Sequence, residues 1–184
     1  MNNTMINLNK EHVALKELLA LLEWKLQLLE EDKIVDYHVL EEAIMYIENY
    51  VDLYHHPKEN IIYQYIIDKK LDKKNSFKQK QHEHDLLKNV TEELKQSLQS
   101  ITLDIIISKH TFITQLRDFI DGLKVHLDEE DHETFPLITT LLTDDDWDKL
   151  ATMMPKYNDD PLFGKQQKKE YLQLYKSLKN FNVS

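Results

Sequence analysis

Apolar residues recur at helical spacing through most of the chain, and polar interruptions divide it into segments. In "NLNKEHVALKELLALLEWKLQLLEED" the leucines return every three or four residues, which predicts a first helix over about residues 8–31 with Asn7 or Asn9 as its cap. A polar break near residues 31–33 leads to a second helix over about 36–67, and "DKKLDKKNS" (68–76) reads as a connection. A third helix is predicted over 77–100 and a fourth over 106–134. Beyond them, "TDDDWDKLATMMPK" reads as a short capped helix, "YNDDPLFGK" as a turn, and "QKKEYLQLYKSLKNF" as a last amphipathic helix.

Only two glycines and four prolines occur in 184 residues, too little turn chemistry for a many-stranded fold. The expectation is therefore all-α: an up-down antiparallel four-helix bundle over residues 1–142, with a helical appendage over 143–184 packed on it. A net charge of −10 opposes nucleic-acid binding, which draws on clustered Lys and Arg. With no cysteine there is no disulfide and no thiolate ligand, so a metal would have to be held by His, Asp, Glu or Tyr. Neither a membrane span nor a cationic leader followed by an apolar run is apparent, which makes a cytoplasmic location the default.

Two motifs then repeat in the same order. "EHVALK" (11–16) matches "EHDLLK" (83–88), and "HHPKE" (55–59) matches "HLDEE" (126–130) in the frame His-x-x-x-Glu, with offsets of 72 and 71 residues. The chain reads as two related helical hairpins. The midpoint of His12 and His55 falls in the predicted break near 33, and that of His84 and His126 falls at 105, so each hairpin brings its histidines level, about 32 Å from its turn. Stacking the hairpins gathers all four.

Residues i and i+4 share a helical face. His55 with Glu59 and His126 with Glu130 therefore converge with His12 and His84 as six candidate metal ligands. Four neutral imidazoles and two carboxylates suit iron, manganese or zinc, and a carboxylate can bridge two ions. Six ligands shared by two metals leave positions open for dioxygen, peroxide or nitric oxide. One His-x-x-x-Glu alone is an ordinary surface pair; the repetition is what argues for metal. His56, about 100° round the helix from His55, is expected behind the ligands or in solvent, and His38, His82 and His110 in solvent. Glu129 and Asp131 flank Glu130 and either supply a further oxygen or belong to an acidic helix end. Tyr54 and Tyr63 read as packing residues, with a hydrogen bond toward the metal as the alternative. Pro57, inside the second helix, frees the Leu53 carbonyl and predicts a kink or local widening there; Asp128, the matching position of the second half, is not proline.

The series His12, His55-x-x-x-Glu59, His84, His126-x-x-x-Glu130, with "HHPKE", "EHD" and "TFPLI", resembles the hemerythrin-like proteins with the HHE cation-binding domain over about residues 5–142. The resemblance implies a four-helix bundle holding a non-haem di-iron centre, with the four histidines as terminal ligands and Glu59 and Glu130 as bridges. Zinc or manganese is the alternative metal. The pattern departs from the oxygen-carrying members, which have a second histidine four residues from the first on the third helix, where this chain has Lys80 and Lys88. The resemblance and its departures imply a protein that binds or reacts with a diatomic ligand or peroxide, as a peroxide or nitric oxide scavenger with peroxidase-like or catalase-like turnover. The alternative is a non-catalytic oxygen, iron or redox sensor or an iron-handling module. A zinc-bound or metal-free bundle used for protein contacts is the third reading.

Overall fold

The computed structural model describes residues 2–102, 108–155 and 159–181. It is all-helical, with no strand among the described residues. Four long helical runs carry the site. The first is α1 (Asn3–Glu30). The second is unbroken from 37 to 68 and consists of α2 (Tyr37–Tyr46), a π-helical stretch (Ile47–His55) and α3 (His56–Asp68). The third is α4 (Ser76–Thr102). The fourth runs through α5 (Lys109–Glu129), a second π-helical stretch (Glu130–Thr134) and α6 (Phe135–Leu141).

The first helix begins earlier than its cap signals predict. Asn2, not Asn7 or Asn9, caps α1, its side chain accepting from the Thr4 N–H at 2.7 Å. Met5 and Leu8 extend the apolar stripe toward the N-terminus and are buried, so tertiary packing carries the helix past the internal asparagines. The fourth run likewise continues beyond 134 to 141, held by buried Phe135 and Ile138. Its predicted start at 106, and the turn expected at 105, lie outside the described residues.

Cross-helix ion pairs give the directions. Lys16, Glu23, Glu30 and Asp32 pair with Asp128, Lys124, Arg117 and Lys109, so α5 descends as α1 rises. Between the second and third runs, Glu48 pairs with Lys95, Asn60 with His84 and Gln64 with Gln81, again antiparallel. The pairs fix register, and the exposed ion pairs among them contribute little stability singly.

Two apolar blocks form the core. The larger contains Leu15, Leu18, Leu22, Val51, Leu94, Phe119, Leu123 and Leu127; the smaller contains Met5, Leu8, Ile62, Tyr63, Ile66, Phe77, Phe135 and Ile138. Along every long run the sequence passes from one block to the other through a polar layer: His12 between Leu8 and Leu15, His55 and Glu59 between Val51 and Ile62, His84 between Phe77 and Leu94, His126 and Glu130 between Leu123 and Phe135.

The described residues beyond 142 share these blocks. Helix α7 (Asp144–Met153) starts at a capping box between Thr143 and Asp146 and adds Trp147 and Leu150 to the smaller block. Asp146 also accepts from the Tyr65 hydroxyl at 2.8 Å and pairs with Lys69. After a turn-like segment, a short 3₁₀ piece (Lys169–Tyr171) leads into α8 (Leu172–Phe181), which rests on α1 and α2 and adds Leu174 and Leu178 to the larger block.

Candidate metal centre

Both π-helical stretches end just ahead of a proline. Pro57 has no N–H for the Leu53 carbonyl, and the turn before it widens: the His56 N–H reaches back five residues to Val51. This is the widening that the sequence predicts at Pro57. The second half has one too, not at Asp128 but ahead of Pro136, where the Phe135 N–H reaches back to Glu130.

The structure brings His12, His55, Glu59, His84, His126 and Glu130 together, every one of them buried. Glu59 Oε1 lies 3.3 Å from the Nε2 of both His12 and His55, and its Oε2 lies 3.4 Å from His84 Nε2. Glu130 Oε2 lies 3.5 Å from His12 Nε2 and 3.2 Å from His126 Nε2, and its Oε1 lies 3.4 Å from His84 Nε2. His84 and His126 place their Nε2 atoms 3.1 Å apart. The possible donor sets overlap: His12, His55 and Glu59 form one, and His56, Glu59, His84 and His126 another.

Each of the four repeated histidines is held from behind. His12 Nδ1 donates to Asp131 at 2.7 Å, His55 Nδ1 to Glu11 at 2.7 Å, His84 Nδ1 to Asn60 at 2.8 Å and His126 Nδ1 to Glu83 at 3.3 Å. In a neutral ring this places the lone pair on Nε2, facing inward. Two lone pairs 3.1 Å apart repel unless a proton or cation lies between them. His55 Nε2, His56 Nε2, Glu59 Oε2 and Glu130 Oε2 are also buried without a hydrogen-bond partner. His55 Nε2 and Glu59 are thus near neighbours that are not aligned on each other. Adjacent ligands of an ion with bonds of about 2.1 Å lie about 3 Å apart. Orphaned donors at such separations fit a cation.

The charge of these side chains follows from this crowding. Burial lowers the proton affinity of His12, but hydrogen bonds to Asp131 and Glu59 and the charge of Glu130 outweigh it, and its pKa rises to about 10. His126, against the same burial penalty, is raised to about 9 by Glu130 and Glu83. Burial works against ionising Glu130, yet His126 and His84 hold it well below the usual carboxylate range. Glu11 is depressed to about 2 because His55 and Lys58 overcome its burial. His56 falls well below the ordinary histidine value through burial and the neighbouring His84, His55 and His126.

The accessory residues divide clearly. Asp131 supports His12 and pairs with Lys16, while Glu129, half-exposed, pairs with Lys80. Tyr63, fully buried, donates to Glu130 Oε1 at 2.6 Å, and Tyr54 packs against Tyr50 at the edge of the larger block. His38, His82 and His110 are exposed. His56 is not in solvent: it is buried and stacked on His84. The 100° separation from His55 misleads because both i+3 and i+4 positions are helical neighbours, so His56 and His55 flank Glu59 together. The glutamates of the repeated Glu-His frame, Glu11 and Glu83, have roles the ligand pattern leaves unassigned: each supports the His-x-x-x-Glu histidine of its own half.

No helix among the described residues is long and apolar enough to cross a membrane. No curated protein and no solved structure matches the chain. A family profile described as "Hemerythrin HHE cation binding domain" matches residues 5–138.

Proposed function

Because the chain belongs to the hemerythrin HHE cation-binding family, we propose that it is a non-haem di-iron protein that binds or reacts with dioxygen, peroxide or nitric oxide. In this reading residues 1–142 form an up-down antiparallel four-helix bundle and 143–184 an appendage on it. His12 and His55 serve one ion, His84 and His126 the other, and Glu59 and Glu130 lie between them. The carrying observation is that each of the two glutamates faces histidines of both hairpins within 3.5 Å.

When bound, the irons would supply ligand coordination and electron exchange. The chain's own residues do the rest. Asp131, Glu11, Asn60 and Glu83 fix the imidazole orientations, a task whose loss weakens metal sites in general. The Tyr63 hydroxyl holds Glu130 Oε1, and the apolar blocks above and below exclude bulk water. A groove of about 470 Å³ between α4 and α5, lined by Leu86, Leu87, Val90, Val125 and His126, offers a small ligand an approach.

Metal analysis with an absorption spectrum of freshly purified protein tests this. Two irons per chain with oxo-to-iron absorption are expected, both lost in a His55→Ala, His126→Ala double variant. Stoichiometric zinc, or iron content unchanged in that variant, would overturn the reading.

A sensing role is favoured by one contact path: His55 to Glu11, Glu11 to the Tyr50 hydroxyl at 3.3 Å, Tyr50 stacked on Tyr46, and the Tyr46 hydroxyl donating to Asp160 at 2.9 Å. Iron-dependent peroxide consumption would favour turnover. No consumption, with protease sensitivity of residues 144–184 changing on oxidation, would favour sensing.

A further inference from the structure

Resting on the di-iron reading, we propose that His56 is a fifth imidazole of the centre, donating through Nε2 beside His84 and His126. His56 is 3% exposed, and its Nε2 has no hydrogen-bond partner although buried. One of its ring nitrogens lies within 4.8 Å of donor atoms of Glu59, His84 and His126. Its Nδ1 faces Asp52 Oδ1, one turn earlier, at 3.2 Å. His12, His55 and His126 likewise turn Nδ1 to a carboxylate and Nε2 inward. The contact to Asp52 is not aligned as a hydrogen bond, since Asp52 Oδ1 is itself without a partner.

One observation points to a different role. The His56 and His84 rings lie 13° from parallel with centroids 4.2 Å apart, an arrangement that would also suit a flat support for His84. A support needs no nitrogen at its inner edge, and leaving a buried nitrogen unsatisfied is costly. An apolar ring would fill that role at no such cost, so the histidine is explained by donation. The two sides of the centre are then unequal, with three imidazoles beside α4 and α5 and two beside α1.

This chain supplies its third imidazole from the helix that carries Glu59. The third helix has Lys80 and Lys88 at the positions four residues from His84.

Anaerobic iron(II) titration of His56→Phe, which keeps a ring to stack but removes the donor, tests the proposal. The expected result is occupancy of one ion weakened by about tenfold or more, with the Mössbauer signal of that ion changed and the ion-free melting temperature retained. His56→Ala should show the same loss, restored by added imidazole but not by benzene, which can stack without donating. A His56→Phe protein that binds two irons with unaltered affinity and spectrum would overturn the proposal, as would restoration of His56→Ala by benzene. Both outcomes leave the di-iron reading intact, whereas a wild-type chain that takes up fewer than two irons overturns the two together.

Discussion

Glu11 reaches the polar layer of candidate ligands only through another residue: it accepts from His55 Nδ1 and pairs with Lys58 at 2.5 Å. Glu11→Ala should therefore leave the fold in place and lower iron(II) affinity about 10–100-fold, while Glu129→Ala, on a half-exposed side chain tied to Lys80, should leave it unchanged. Parallel titrations of the two variants check this. In the di-iron reading, protons compete with iron at the same atoms. His12 and His126, with pKa values raised to about 10 and about 9, carry protons at pH 7 in the ion-free chain. Metal uptake should release them, and apparent affinity should climb as pH rises toward 9. Proton release against an indicator dye measures it. The stability of the ion-free chain should fall toward both extremes of pH. The contribution of His12, complete below its ordinary value of 6.5, is lost as pH rises through about 10; that of Glu11, complete above 4.5, is lost as pH falls through about 2. The gathering of the six repeated histidines and glutamates was legible because spacing alone puts them on shared faces at one height. Their supports were not: nothing in one sequence says that Glu11 serves His55 rather than the adjacent His12, or that His56 turns inward.

Among the elements, the two π-helical stretches are set by chemistry that the sequence displays in one place and disguises in the other. Pro57 stands between two candidate ligands, so its widening can be anticipated; Pro136 acts from six residues beyond Glu130, outside the frame of the repeat. Replacing Pro57 with Ala restores an N–H for the Leu53 carbonyl and lets Ile47–His55 relax toward ordinary α-helix. The ion-free protein should then gain stability, by no more than about 3 kcal/mol, and should lose iron affinity as His55 and Glu59 rotate out of register. Calorimetry of the ion-free variant beside an iron titration reads both; unchanged affinity would show that the widening does not set the ligand positions. Helix ends were legible where a cap and the apolar stripe agree, as at Asp36 and Thr143. They were misread at α1, where burial of Met5 overrides the nearer asparagines.

For the whole molecule, the division at residue 142 separates stretches whose side chains share one interior. Leu162, Tyr171, Leu174 and Leu178 are buried in the larger block, and the Leu174 N–H donates to Glu42. A chain ending at 142 should melt at lower temperature, bind a dye for exposed apolar surface, and still retain all six candidate metal ligands. Equal melting temperatures would show that the appendage adds nothing to the stability of the bundle it packs on.

The polar layer lies across every long helical run between the two apolar blocks. Without an ion, a belt of unsatisfied buried donors is a weak seam, along which the two ends of the molecule can open independently. In the di-iron reading, two ions held between them by side chains from all four runs would rivet that seam, and folding would become one event instead of two. Hydrogen exchange should then record two protection classes in the ion-free chain, one for each block, that merge into a single class when iron is bound.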